Sequence, residues 1–285
     1  MPDLADFREE VLEYDRTAEV RTWPGPRHRM TFRTLGEGDP IVLLPGLAST
    51  YRGYSPTLLR LSRQFRTIIF DYPGEHPEDG ADLRKISHDD LTDDLIGLLD
   101  HLKLPWAYPF GLSFGSTITQ RALHRAPERF PKAVLQGAFA RRPLNPAERI
   151  ALAVGRRIRG QTARLPFHEL GLSRNNKSTF PAALPDRWKY YVEENGLTPI
   201  EGLTHRLDLL RKLDLRPLLP EIRQNVRVIH GTADRIVPLS FHRELLAGLA
   251  SGESLLMDEV GHQPHWTHPE ELAKLVGEFF EPGGS

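Results

Sequence analysis

The 285-residue chain has no cysteine. Disulfides, thiolate metal sites and cysteine nucleophiles are therefore excluded, and a reducing compartment suits such a chain. It also lacks a dominant charge: the formal net charge is -1. The molecule as a whole is not built to hold a polyanion, and no nucleic-acid partner is expected. No stretch approaches the roughly 20 apolar residues needed to cross a bilayer, so no stable membrane insertion is expected. The N-terminal run MPDLADFREEVLEYD is acidic and has no apolar centre. It is not a secretory leader, and the expected location is cytoplasmic, although a secreted protein already trimmed of its leader would look the same. What is present is 39% hydrophobic residues, enough for one sizeable core with an inserted subdomain.

Short apolar runs recur along the chain: Ile41 to Leu44, Arg66 to Phe70, Trp106 to Phe110, Ala133 to Leu135, Val226 to Ile229 and a weaker Ser254 to Met257. Helical patterns separate them. Asp90 to Leu102 aligns Leu91, Leu95, Leu98, Leu99 and Leu102 on one face, and Ser116 to Ala126 follows the third run. Pro269 to Phe280 starts with proline in its first turn. Strands alternating with helices predict an α/β fold with a mostly parallel sheet flanked by helices. In such sheets function sits in loops at the carboxyl ends of strands. Ala18 to Trp23 and His28 to Thr34 read as an antiparallel hairpin turning at Pro24-Gly25-Pro26.

Between residues 141 and 221 no convincing strand appears. This stretch holds 15 Lys plus Arg against 9 Asp plus Glu, a net of +6, while the remainder carries -7. We read 141–221 as a helical cap inserted into a core formed by 1–140 and 222–285. Ala147 to Arg159 reads as one of its helices, with Ile150, Val154 and Ile158 spaced by four among Arg149, Arg156, Arg157 and Arg159. Such a helix can meet an anionic surface, draw in an anionic substrate, or simply pack on the body with a solvated basic face; the last is the commoner outcome.

Gly111-Leu112-Ser113-Phe114-Gly115 lies between a strand-like run and a helix-like one. That is the setting in which a G-x-S-x-G turn pushes a serine oxygen out over a sheet; the plain alternative is a helix N-cap serine. A hydroxyl needs a base at neutral pH. Asp234, in His230-Gly231-Thr232-Ala233-Asp234, follows the fifth run, and Gly261-His262 follows the sixth. The order Ser113, Asp234, His262 fits a nucleophile, an orienting acid and a base. Asp234 could otherwise be a turn residue, and His265, His268, His101, His230 and His242 compete with His262. The oxyanion formed by attack needs N–H donors in place. Phe114 supplies one, and the loop Leu44 to Thr50 supplies the other, from Leu47 first and Ala48 next.

These motifs, together with Asp71-Tyr72-Pro73-Gly74 and His268-Pro269-Glu270, resemble the α/β-hydrolase superfamily, in its esterase-like serine branch. The resemblance covers most of the chain outside the cap. It implies an eight-stranded, mostly parallel sheet, an inserted helical cap, no cofactor, no metal, and the triad Ser113, Asp234 and His262. Two loops depart from the family pattern: Pro45-Gly46 stands where His-Gly is usual, and Asp71 to His76 replaces Asp-x-Arg-Gly-x-Gly. Serine at the elbow points away from dehalogenases and epoxide hydrolases, which use aspartate there. The expected reaction is cleavage of an ester, thioester, amide or lactone in a small-molecule acyl substrate. Carbon–carbon bond hydrolysis and a ligand-binding role with little turnover are the alternatives. Ala48, Tyr51, Tyr72, Trp188 and Tyr191 are pocket candidates. Tyr54, Phe167 and Phe180 come next, and the cap aromatics could equally form a small core of their own.

Overall fold

The computed structural model describes residues 4–165, 168–182 and 185–281. Eight strands form one sheet: β1 (Glu19–Pro24), β2 (Arg29–Leu35), β3 (Pro40–Leu44), β4 (Arg66–Phe70), β5 (Tyr108–Leu112), β6 (Lys132–Gln136), β7 (Asn225–Gly231) and β8 (Gly252–Met257). Their order is β1-β2-β4-β3-β5-β6-β7-β8. The expected hairpin is there: β1 pairs antiparallel with β2, which pairs antiparallel with β4. From β4 through β8 every pairing is parallel. Crossover helices place all the carboxyl ends of these strands on one edge.

The helices are α1 (Leu4–Thr17), α2 (Ser55–Leu61), α3 (His88–His101), α4 (Phe114–Arg125), α5 (Pro146–Gly155), α6 (His168–Asn176), α7 (Pro185–Gly196), α8 (Ile200–Lys212), α9 (Leu239–Gly248), α10 (Pro264–Thr267) and α11 (Pro269–Phe280). Local chemistry sets their starts. Ser87 and Asp90 form a capping box ahead of α3, and Asn145 and Glu148 form another ahead of α5.

Alternation along the strands divides the core in two. Val42 and Leu44 face the layer that holds Leu95, Leu98 and Ile118, while Ile41 and Leu43 face the layer of Leu58, Leu272 and Val276. The two-residue period of a strand produces this split. Burying each such side chain contributes about 1.5–3 kcal/mol.

Between β6 and β7 the described residues are helical, from α5 to α8, with no strand. Helix α5 ends at Gly155, short of the expected Arg159, and Gly155 packs closely against Thr204 of α8. Two of the four arginines around α5 are ion-paired, while Arg149 and Arg157 donate, among the described residues, only to backbone carbonyls. Arg156 pairs with Asp208 at 2.8 Å, and Arg159 with Glu201 at 2.6 Å. Among the described residues no helix is long and apolar enough to cross a membrane.

Candidate active site

Three strands deliver three groups to one edge. After β5 the chain turns sharply at Ser113, whose backbone lies at φ 50°, ψ −111°. A non-glycine residue held there stores about 1–3 kcal/mol of strain. The Ser113 N–H donates to the Gln136 carbonyl at 2.8 Å, and the Ser116 hydroxyl donates to the Ser113 carbonyl at 2.6 Å. Gly115 permits the turn to sit so low: any Cβ there would run into the Leu44 carbonyl.

His262, beyond β8, directs Nδ1 to Asp234 Oδ2 at 2.6 Å. The other carboxylate oxygen of Asp234 accepts the N–H groups of Ile236 and Val237 at 2.8 and 2.9 Å. Burial pushes the Asp234 carboxyl up, but the facing imidazole and these hydrogen bonds outweigh it and hold the carboxyl below its ordinary range. An ionised Asp234 only accepts, so His262 Nδ1 is the donor in this hydrogen bond. Gly137, at φ 56°, makes room for the ring: a Cβ there would lie 2.9 Å from His262 Cε1.

Ser113 and His262 line one cavity of about 850 Å³. Gly46, Leu47, Ala48 and Leu112 line it from the sheet side, and Ile150 and Val154 of α5 and Leu203 and Leu207 of α8 line it as well. The loop after β3 lies against the serine, since a methyl on Gly46 would be 3.8 Å from Ser113 Cβ. The Gly46 N–H donates to the Tyr54 hydroxyl at 2.8 Å. The N–H groups of Leu47 and Phe114 have no acceptor among the described residues; Leu47 lines the cavity, while the Phe114 side chain is buried in the core.

The competing histidines lie elsewhere or engage no carboxylate in the cavity. His265 stacks on Tyr54 at 4.4 Å, and burial drives it well below its ordinary pKa, so it is neutral. His230 packs against His242, His101 stacks on Trp23, and His268 bonds to Thr267. Among the described residues no group of histidine or acidic side chains could hold a metal ion.

Of the pocket candidates, Ala48, Tyr54 and Tyr191 line the cavity. The others do not. Tyr51 donates to Asp15 at 2.6 Å beneath the Arg33 guanidinium, because the short turn Tyr51–Gly53 swings it to the outer side while Tyr54 swings inward. Tyr72 is buried behind the Leu47 loop and donates to the Pro45 carbonyl at 3.1 Å. Trp188 packs on Phe180 and Tyr191 in a separate aromatic cluster. Phe167 lies outside the described residues. The sequence reading missed Gln136, Arg142 and Asn176, which also line the cavity, and it missed Gly137. A glycine directly after a core strand was the one available signal.

A family model described as alpha/beta hydrolase fold matches residues 39–269. A putative carbamate hydrolase, RutD, from Pantoea ananatis is 26% identical over 255 residues, covering 87% of this chain and 91% of its own. A 2-hydroxy-6-oxononadienedioate/2-hydroxy-6-oxononatrienedioate hydrolase 2 from Pseudomonas putida is 28% identical, covering 89% and 92%. Among solved structures, an enol-lactonase from Burkholderia xenovorans superposes with a TM-score of 0.83 at 22% identity, covering 92% of this chain and 100% of that one. At that identity the likeness speaks for the fold.

Proposed function

The chain belongs to the alpha/beta hydrolase fold family, and from that premise we propose that it is a serine hydrolase cleaving an ester, thioester, amide or lactone through an acyl-enzyme on Ser113. The observation that carries this reading is the His262–Asp234 pair, with its acid doubly anchored by backbone amides, in the same cavity as a strained serine.

His262 Nε2 takes the Ser113 proton as Oγ bonds to the substrate carbonyl carbon. The carbonyl electron pair moves onto oxygen, where the N–H groups of Leu47 and Phe114 receive it. Collapse breaks the bond to the leaving group, which takes the proton back from His262. Water then repeats the sequence and frees the acid. Asp234 stays ionised throughout, fixing the tautomer and stabilising the imidazolium. In this reading residues 141–221 act as a cap over the substrate, and the body is 1–140 with 222–285.

A fluorophosphonate probe tests the reading. We expect stoichiometric labelling that is lost in Ser113→Ala, together with a fall of about a thousandfold or more in kcat. An unlabelled wild-type protein would instead indicate a binding protein with little turnover. The match to dienedioate hydrolases favours a second reading, hydrolysis of a carbon–carbon bond through the same serine. Comparing p-nitrophenyl esters with a vinylogous 1,5-diketone separates the two.

A further inference from the structure

Arg206 lies near the middle of α8 in the helical insertion and is 1% exposed. Its Nε–H donates to the Leu47 carbonyl at 2.7 Å. Its Nη1 forms an ion pair with Glu75, and its guanidinium lies over the Tyr72 ring at 5.6 Å. Glu75 belongs to the loop after β4 that departs from the usual family pattern. Burying an ion pair costs several kcal/mol per charge, so the pair is a poor device for stability alone. A rigid fork that binds two partners at once is a good device for fixing geometry.

What it fixes is the backbone beside the nucleophile. The Pro45–Gly46 peptide is held at both ends, its carbonyl by the Tyr72 hydroxyl and its N–H by the Tyr54 hydroxyl. Arg206 holds the carbonyl of the Leu47–Ala48 peptide. Asn195, at the end of α7, donates to the Ala48 carbonyl at 2.5 Å and holds the peptide after it. Between these lies the Gly46–Leu47 peptide, whose N–H has no acceptor among the described residues. Its direction is set by its clamped neighbours.

Resting on the serine-hydrolase reading, we infer that Arg206, seated by Glu75, is a positioning residue that aims the Leu47 loop at the developing oxyanion. The insertion is then part of the catalytic apparatus as well as a cover. Lifting α8 withdraws the guanidinium and slackens the loop.

Two variants test this. Arg206→Lys keeps a cation for Glu75 but cannot serve both partners in the fork geometry. The double variant Arg206→Met with Glu75→Gln removes both buried charges and avoids stranding either; should it fail to fold, Arg206→Lys decides. Each is measured by thermal melting, by kcat and KM on a short p-nitrophenyl ester, and by inhibition with an alkyl trifluoromethyl ketone, which forms a tetrahedral adduct. Loss of one oxyanion donor costs about 100–1000-fold, so misaiming one is expected to lower kcat by about 10–100-fold with KM within about threefold. The ketone should weaken by the same factor as kcat/KM. A kcat within about twofold of wild type, or a loss confined to KM with the ketone unmoved, overturns the inference. Fluorophosphonate labelling keeps the two readings apart. An inert wild type removes the hydrolase assignment and this role with it. A reactive wild type whose variants label equally fast removes this role alone.

Discussion

Replacing Gly137 by alanine should damage catalysis out of proportion to its effect on stability. The position has φ 56°, and an L-residue there costs about 1–2 kcal/mol. The added methyl would sit 2.9 Å from His262 Cε1 and 3.1 Å from Nδ1, with Asp234 Oδ2 at 3.7 Å. Ordinary carbon contacts begin near 3.5 Å, so the ring must retreat by about half an ångström. That retreat displaces the imidazole relative to Asp234, to which it is bonded at 2.6 Å. Misplacement by about 1 Å costs about a hundredfold, so a fall in kcat of about 10–100-fold is expected. Gly80 supplies the control. Its φ is 76°, and a Cβ there meets nothing within 4 Å. Gly80→Ala should therefore lower the melting temperature by a few degrees through strain alone and leave kcat unchanged. Ester turnover and thermal melts on both variants decide the matter. If Gly137→Ala melts lower yet keeps kcat within about twofold of wild type, the imidazole–carboxylate pair beside it is not the catalytic one.

Asp234→Asn should leave the fold intact but lower kcat by about ten-thousandfold, as expected when the orienting acid loses its charge and the tautomer reverses; activity near wild type would reassign the acid. Stability should fall on acidification. Burial pushes His88 down to about 3 and His242 to about 4, from an ordinary 6.5, so the unfolded chain takes up their protons first. Their contribution is complete above pH 6.5 and is lost as pH falls toward those values. Asp94, raised by burial to about 6, works the other way between 6 and 3.8, but one carboxyl only partly offsets two imidazoles. Guanidinium melts at pH 7 and pH 5 should therefore show a lower midpoint in acid, with a smaller difference in His88→Gln; equal midpoints in the wild type would contradict the buried neutral histidines.

The sheet was legible where burial on both faces forces continuous apolar runs, as in Ile41 to Leu44 and Arg66 to Phe70. The elbow was legible because strand, tight turn and helix leave a local imprint around Ser113. Helix α1 was not, since its acidic surface conceals Phe7, Val11 and Tyr14, which point inward. Tyr51 and Tyr54 looked alike in sequence, and only the rotation of one short turn sends their hydroxyls to opposite sides. The Arg206–Glu75 pair joins residues from two different crossover connections. No local pattern encodes such a meeting; it follows from how α8 settles over the loop after β4.

His262, the base in the proposed reaction, lies just beyond β8, the terminal strand, bonded to a neighbour on one side only. The serine hangs from β5, enclosed by partners on both sides. Flanking strands open more readily than central ones. Mild heating should thus unhook the imidazole while the hydroxyl stays seated, giving a protein that is mostly native by shape yet silent toward substrate. Its working lifetime is then governed by its outermost ribbon rather than by its interior.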